Sequence, residues 1–333
     1  MIRLLDFLTP SLHTQRPVNQ KTLKTQFSIE EVADIAGINS FTLRNWEDRY
    51  GLFSPGRDGN GRRLFSESDT IRAVVAAELT KRRHKISKVA VDLQEMTDPF
   101  RLLIKSVEGD SFVEMRQEAL AGLLKYDSEA FQQGFGHLLG NYSIEFMADH
   151  FFYPIYRELE ELEGNKKIGS FQFRYCQQQL ADRIYRLAGS VKLNRSRELG
   201  GKALVSGFPE NRFEDSTLIL YLVLERQGWE VIYGGPNICI NELPEVISAT
   251  QANVVLFVGN NLSVAQFEQH EEKLRQLSVP FSIGGKLAQK LLAAGKQSTP
   301  QLEITTLRPG PFARLLRCKV GPITQTSKTP SYQ

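Results

Sequence analysis

Residues 27–65, FSIEEVADIAGINSFTLRNWEDRYGLFSPGRDGNGRRLF, constrain the fold more than any other stretch of this 333-residue chain. Ser28, followed three residues later by Glu31, forms a capping box that predicts a helix beginning at Ile29. Apolar residues then recur at helical spacing as far as Gly37, a residue suited to a left-handed helix end. The block therefore opens with a short amphipathic helix whose two ends are both specified locally.

A second helix is predicted to restart at Ser40 or Phe41, after a short turn. Leu43 would face inward, together with Trp46 or Tyr50. The polar residues on the remaining faces are Thr42, Arg44, Asn45 and Arg49. Side chains of these types donate hydrogen bonds to phosphates and base edges, so this helix is a candidate DNA-reading element.

A tip rich in Gly, Asn and Asp follows, between Arg57 and Phe65. Residues of this kind form hairpin turns, so the segment predicts a β-hairpin that carries Arg57, Arg62 and Arg63. Two helices, a turn and a basic hairpin together predict a winged helix-turn-helix domain over residues 26–97. Its expected partner is a double-stranded DNA operator.

The placement of charge, rather than its total, favours nucleic acid. The net charge is only +3, which by itself does not indicate a polyanionic partner. The arginines, however, concentrate in the second helix and the hairpin, and residues 81–85 add a basic run after the next helix. That run suits either a phosphate contact or a solvated surface.

Several classes of protein are disfavoured by composition. Cys176, Cys239 and Cys318 lie far apart, so neither a disulfide framework nor a zinc site is indicated. No apolar run approaches the length of a membrane span, and the opening residues lack a convincing cleavage site. We therefore expect a cytoplasmic protein without a membrane partner, with a flexible arm at residues 1–25 and a disordered tail at 317–333.

Two further domains are predicted from periodicity. Residues 98–200 show amphipathic helical patterns joined by short loops, at 112–124, 128–139, 144–162 and 170–191, which indicates a four-helix bundle. Residues 201–316 alternate apolar strands with helices. The predicted strands are 203–207, 229–235, 253–259, 280–285 and 303–305; the predicted helices are 213–227, 241–250, 263–277 and 287–294. This alternation predicts a doubly wound, flavodoxin-like parallel sheet with ligands at the carboxyl ends of its strands.

The first block resembles the winged helix-turn-helix domain of the MerR family of transcription regulators. The matching residues are Ser28-Ile29, Val32-Ala33, Gly37, Thr42-Leu43-Arg44, Trp46-Glu47, Tyr50-Gly51-Leu52, Pro55, Arg57 and Gly61 to Ser66. The resemblance implies a DNA-binding regulator that acts as a dimer on paired half-sites. It implies phosphate contacts by Arg44, Arg57, Arg62 and Arg63, with Asn45 and Arg49 nearer the bases; Ser28 and Thr42 complete the expected contact set.

The order of the three domains resembles cobalamin-dependent MerR-type photoreceptor repressors, over nearly the whole chain. The framework matches are Phe152 to Ile155 with Arg157-Glu158 in the bundle, and Trp229 to Tyr233 and Ile283-Gly284-Gly285 in the sheet. The resemblance implies a sensory half with cobalamin-binding architecture.

The ligand motifs of that family are not matched. Its Glu/Asp-x-His-x-x-Gly stretch falls on Asn211, Phe213 and Ser216, and phenylalanine has no lone pair for cobalt. The tryptophan and Glu-His pair above the cofactor fall on Glu163, Phe173 and Arg174, and arginine does not ligate metals. His137, His150 and His270 show no metal-ligand spacing. No metal site is therefore predicted.

Three interpretations remain open. The leading one is a non-enzymatic regulator, a repressor, whose input is a protein partner, oligomerisation or no ligand. The second retains cobalamin without a protein imidazole, or another tetrapyrrole such as haem; its candidate pocket residues are Phe173, Arg174, Asn260, Gly284 and Gly285. The third is a cobalamin-dependent methyltransferase-like enzyme, which the sequence favours least because it offers no nucleophile and base in a defensible arrangement.

Overall fold

The computed structural model describes residues 26–81, 83–95, 102, 111–193, 201–211, 214–305, 312–313 and 316. The predicted arm at residues 1–25 and tail at 317–333 lie outside these residues. The chain forms an N-terminal helical unit with a small sheet, a helical bundle and a parallel α/β sheet, which is the predicted fold class.

The N-terminal unit places four helices around a three-stranded antiparallel sheet. The helices are α1 (Ile29–Ala36), α2 (Ser40–Tyr50), α3 (Glu67–Lys81) and α4 (Ile86–Glu95); the strands are β1 (Gln26–Phe27), β2 (Gly56–Arg57) and β3 (Arg63–Ser66), in the order β1-β3-β2. Leu43 and Trp46 are buried, whereas Tyr50 is half-buried. The hairpin β2-β3 confirms the predicted wing.

The start of α4 does not use the nearest serine as its cap. Helix α4 begins at Ile86, so Ser87 lies inside its first turn. The amide of Val89 donates to the carbonyl of Lys85 at 3.1 Å, so Lys85 lies at the start of the helix. Serine is a frequent cap, but its presence near a helix start does not fix the register of the first turn.

The bundle contains α5 (Ser111–Leu124), α6 (Ser128–Asn141), α7 (Ile144–Met147), α8 (Tyr153–Gly164) and α9 (Ser170–Leu193). A π-helical turn, Ala148–Phe152, joins α7 to α8, so the predicted helix 144–162 is continuous but locally widened. Pro154 lies just after this turn. Proline lacks the N–H that would bond the His150 carbonyl in an α-helix. Arg116 Nη1 donates to that carbonyl oxygen at 3.1 Å instead.

The C-terminal unit is a five-stranded sheet of parallel strands in the order β5-β4-β6-β7-β8. The strands are β4 (Gly201–Gly207), β5 (Trp229–Tyr233), β6 (Val254–Val258), β7 (Phe281–Gly284) and β8 (Leu302–Ile304); the helices are α10 (Asp215–Arg226), α11 (Leu243–Thr250), α12 (Val264–Arg275) and α13 (Gly285–Ala293). This flavodoxin-like order reverses between β4 and β6, where ligands bind in such sheets.

Helix α10 joins the bundle to the sheet. Every residue from Asp215 to Glu225 is buried, as expected for a helix that is apolar on nearly all sides. Bundle residues such as Phe152 and Ile184 share one hydrophobic cluster with α10 and with strand residues such as Val205. The bundle and the sheet therefore pack as one unit on either side of α10.

Candidate nucleic-acid interface and strand-end crevice

Local hydrogen bonds fix the helix-turn-helix. Ser28 Oγ accepts from the Glu31 amide at 3.3 Å, and Glu31 Oε2 accepts from the Ser28 amide at 2.8 Å, which completes the capping box. Gly37 ends α1 with φ of 65°. Asn39 Oδ1 accepts from the amide and the hydroxyl of Thr42, at 2.7 and 2.8 Å. Ser28 and Thr42, both expected at the DNA, thus hold the starts of α1 and α2.

The outward face of α2 carries unpaired cations and one large apolar side chain. Arg44 and Arg49 are exposed, and Asn45 is half-buried beside them. No acidic side chain in the described part of the chain pairs with either arginine. Phe41 lies three residues before Arg44 and is 74% exposed. Phe41 is not among the predicted contact residues, although its spacing from Arg44 places both on one helix face.

The wing tip is organised by Asp58. Its Oδ1 accepts from the amides of Asn60 and Arg62, at 2.9 and 2.8 Å. Arg57 Nη1 donates to the Gly61 carbonyl at 2.9 Å, so its guanidinium braces the tip from one side. The Arg62 side chain is left exposed at the end of the wing. This geometry suits Arg62 for contact with a phosphate backbone beside the major groove.

Arg63 links the wing to α2. Its Nε donates to Glu47 Oε1 and Oε2 at 3.0 and 2.9 Å, and its Nη2 lies 3.8 Å from Asp48. Arg63 is also the strand partner of Arg57 in the hairpin. The guanidinium is therefore directed at α2, which suits Arg63 to position the wing; the phosphate contact by Arg63 stays a prediction.

A cavity of about 210 Å³ opens at the carboxyl ends of β6 and β7, beneath α8. Asn260, Gly284 and Gly285, three of the predicted pocket residues, line it together with Ser216. Gly285 has φ of 79°, and a Cβ there would lie 2.7 Å from Asn260 Oδ1. A side chain at this position would therefore clash with the loop after β6.

The other predicted pocket positions lie elsewhere. Phe173 is 4% exposed and packs in the bundle core, while Arg174 is exposed on α9; neither lines the cavity. Because Phe173 and Arg174 are consecutive residues of a helix, their side chains point in different directions. Asn211 is buried, and its Oδ1 accepts from the Asn260 amide at 3.1 Å. Phe213 lies outside the described residues.

Charged groups from the bundle and the sheet meet at the cavity rim. Arg157 Nη2 lies 2.8 Å from Asp215 Oδ2, and Arg157 Nη1 lies 2.8 Å from Glu160 Oε2. Lys286 Nζ is 2.8 Å from the same Glu160 oxygen. Asn260 Nδ2 donates to Asp215 Oδ1 at 3.1 Å. Burial raises the pKa of the Asp215 carboxyl, although the neighbouring Arg157 charge opposes this rise.

These residues do not fit a tetrapyrrole. The cavity of about 210 Å³ is smaller than the roughly 300–1,000 Å³ that drug-sized ligands occupy. The direct Arg157–Asp215 and Lys286–Glu160 ion pairs join the bundle to the sheet at the rim of this cavity. The described part of the chain contains no cluster of His, Cys, Asp and Glu that could hold a metal. Across the described helices, none is both long and apolar enough to span a membrane.

Comparison with known proteins identifies the N-terminal unit. Residues 27–95 match the model of the MerR HTH family regulatory protein. This part of the chain is a MerR-type helix-turn-helix domain, as the order of its motifs predicted.

Two curated relatives cover most of the chain. It is 25% identical over 255 residues to the HTH-type transcriptional regulator MlrA of Escherichia coli (strain K12), covering 73% of this chain and 92% of the relative. It is 23% identical over 271 residues to the HTH-type transcriptional repressor CarH of Myxococcus xanthus, covering 79% and 89%. Among solved structures, it is similar to a monomethylamine corrinoid protein of Methanosarcina barkeri, with a TM-score of 0.44, 11% identity, and 60% of this chain and 93% of that chain covered.

Proposed function

We propose that this protein, with its MerR-type domain at residues 27–95, is a DNA-binding transcription regulator that acts as a repressor. The observation that carries the proposal is the exposed face of α2, where Arg44 and Arg49 stand without acidic partners in the described structure beside an organised wing. Both relatives that span most of the chain are named as transcription regulators, one of them as a repressor. The proposed role is regulatory rather than catalytic.

Each element has a distinct task in this proposal. Helix α2 enters the major groove, where Asn45 and Arg49 face base edges and Arg44 contacts a phosphate. Phe41 offers an apolar surface to a thymine methyl group, which is the base-edge feature that a phenylalanine side chain contacts. Arg62, at the wing tip, contacts the flanking backbone, and Arg57 supports that tip.

A second copy of the chain completes the operator complex. One α2 reads only a few base pairs, so a two-fold dimer on paired half-sites gives the length of site that a specific regulator needs. The bundle and sheet form the controlling half. Direct ion pairs join the bundle to the sheet at the strand ends, and the proposed control does not require a tetrapyrrole.

The test begins with an operator selected by the full-length protein from a pool of random double-stranded DNA. Arg44→Ala and Arg62→Ala should each weaken binding and lower the slope of log K against log salt by about one. Arg186→Ala, which removes an exposed arginine from α9, is the matched control. Equal affinity and equal salt slope in all three variants would refute the proposed contact face.

A further inference from the structure

We propose that the cavity at the ends of β6 and β7 binds a small organic anion, a carboxylate or phosphate of about ten non-hydrogen atoms. Binding itself is independent of DNA; only the role of this anion as an effector rests on the proposed function. The residues that would hold it are Lys286, Arg157 and Ser282, all of which line the cavity.

The donors converge from different elements. Lys286 lies in the first turn of α13, and its amide donates to Asn260 Oδ1 at 3.4 Å, so the start of this helix lies at the cavity. The positive end of the helix dipole therefore adds to the Lys286 charge at the cavity wall. Arg157 reaches the same space from α8, on the bundle side. Cationic donors on two sides suit an anion better than a neutral ligand.

An unpaired hydroxyl provides independent support. Ser282, in β7, is 2% exposed and lines the cavity, and its Oγ has no hydrogen-bond partner among the described residues. Arg157 Nε is likewise buried without a partner in the described structure. Buried polar groups in folded proteins are nearly always bonded to protein, water or a ligand. An anion in the cavity would give both groups an acceptor.

The size of the cavity limits the ligand. A volume of about 210 Å³ corresponds to the space of roughly seven water molecules in the liquid. This suits a small sugar phosphate or a di- or tricarboxylate better than a nucleotide or a tetrapyrrole, since sites for drug-sized ligands occupy roughly 300–1,000 Å³. The apolar wall formed by Leu256 and Phe312 would face the carbon skeleton of such an anion.

Binding would change the contact between the bundle and the sheet. In the structure, Arg157 and Lys286 both bind Oε2 of Glu160. An anion that binds these two cations competes with Glu160 and replaces an ion pair that joins α8 to α13. The position of the bundle on the sheet then depends on the ligand. An allosteric effector must bind two arrangements of a protein with different affinity, and this competition would provide that difference.

The binding test uses the full-length protein titrated with inorganic phosphate, succinate, citrate and 3-phosphoglycerate. At least one of these should bind saturably and raise Tm. Lys286→Met should weaken that binding at least tenfold. Ser282→Ala should weaken it several-fold without lowering Tm in the absence of anion, because its hydroxyl has no partner to lose. Glu160→Gln should strengthen it, since the competing carboxylate charge is gone.

Lys273→Met is the matched control, because Lys273 binds Asn241 outside the cavity. The proposal fails if none of the four anions binds, if Lys273→Met weakens binding as much as Lys286→Met, or if Ser282→Ala and Lys286→Met leave the affinity unchanged. Cobalamin and haem serve as probes of size, and saturable binding of either with a visible band would also overturn it. Operator affinity is measured separately, so loss of DNA binding alone refutes only the proposed function.

Discussion

Arg63 Nε donates to both carboxylate oxygens of Glu47, at 3.0 and 2.9 Å, and thereby ties the wing to helix α2. The pair joins residues that are 16 positions apart in the chain. The Nε–H group is shared between the two oxygens of an oppositely charged carboxylate, which makes this a charge-assisted hydrogen bond. The wing and the recognition helix are therefore held in one orientation before DNA arrives, which lowers the ordering cost of binding.

From the Arg63–Glu47 pair we predict an effect on operator affinity that is opposite to the one expected from net charge. Glu47→Gln removes a negative charge beside the proposed DNA surface, and bulk charge alone would strengthen DNA binding. We expect operator affinity to fall by about fivefold, corresponding to about 1 kcal/mol, because Arg63 loses its anchor. Binding titrations at several salt concentrations provide the measurement. Asp34→Asn, at an exposed site on α1, is the control; stronger binding by Glu47→Gln than by Asp34→Asn would contradict the positioning role.

Phe41 should read a thymine methyl group. Because its side chain is 74% exposed, Phe41→Ala should change the free energy of unfolding by less than about 0.5 kcal/mol. The same change should weaken operator binding when the contacted base is thymine, and should have little effect when deoxyuridine replaces it. Competition binding with the two DNAs measures this coupling. If uracil substitution weakens binding by wild type and variant equally, Phe41 does not contact the methyl group.

Asp215 should give the protein a distinctive pH dependence. Burial raises the pKa of its carboxyl above the ordinary value of 3.8. At pH values between the ordinary pKa and the raised pKa of the folded state, the folded protein keeps a proton that the unfolded chain releases. The free energy of unfolding therefore falls as pH rises through this window. Asp215→Asn removes this contribution. Urea unfolding at a series of pH values should therefore show the wild type losing stability relative to the variant as pH rises; the opposite trend would mean that the Arg157 charge outweighs burial.

The bond from Arg116 to the His150 carbonyl should stabilise the bundle because Pro154 cannot supply it. Arg116→Met is expected to lower the free energy of unfolding by about 1–3 kcal/mol. In a Pro154→Ala background the backbone regains an N–H, and the cost of Arg116→Met should drop by at least about 0.5 kcal/mol. Chemical denaturation of the four proteins gives the coupling. Independent, additive effects would show that the guanidinium does not substitute for the missing amide.

Much of the fold could be predicted because its signals are local. The Ser28–Glu31 capping box and the αL glycine Gly37 fixed α1 to the residue, and the period of the apolar residues distinguished the bundle from the sheet. Boundaries were less certain, since the last strand, β8, spans Leu302–Ile304 rather than 303–305. Short-range patterns predict the existence of a helix or strand more reliably than the residue at which it begins or ends.

The candidate sites were predicted unevenly for the same reason. Exposure of Arg44 and Arg62 follows from helix periodicity and hairpin geometry, which a sequence contains. The roles of Arg63 and Phe173 do not, because they depend on which neighbour each side chain meets after packing. The spacing along the chain predicted Phe173 in a cofactor pocket, whereas in the structure it is buried in the bundle core.

The sequence alone thus determined the three kinds of structural unit and the DNA-binding character of the first, because capping, turn and periodicity signals act within a few residues. Tertiary structure alone decided that Arg157 meets Asp215 across 58 residues and that Lys286 meets Glu160 across 126. These contacts form only when the bundle docks on the strand ends through α10. The resulting small cavity, with ion pairs at its rim, is a product of that docking, and no local pattern encodes it.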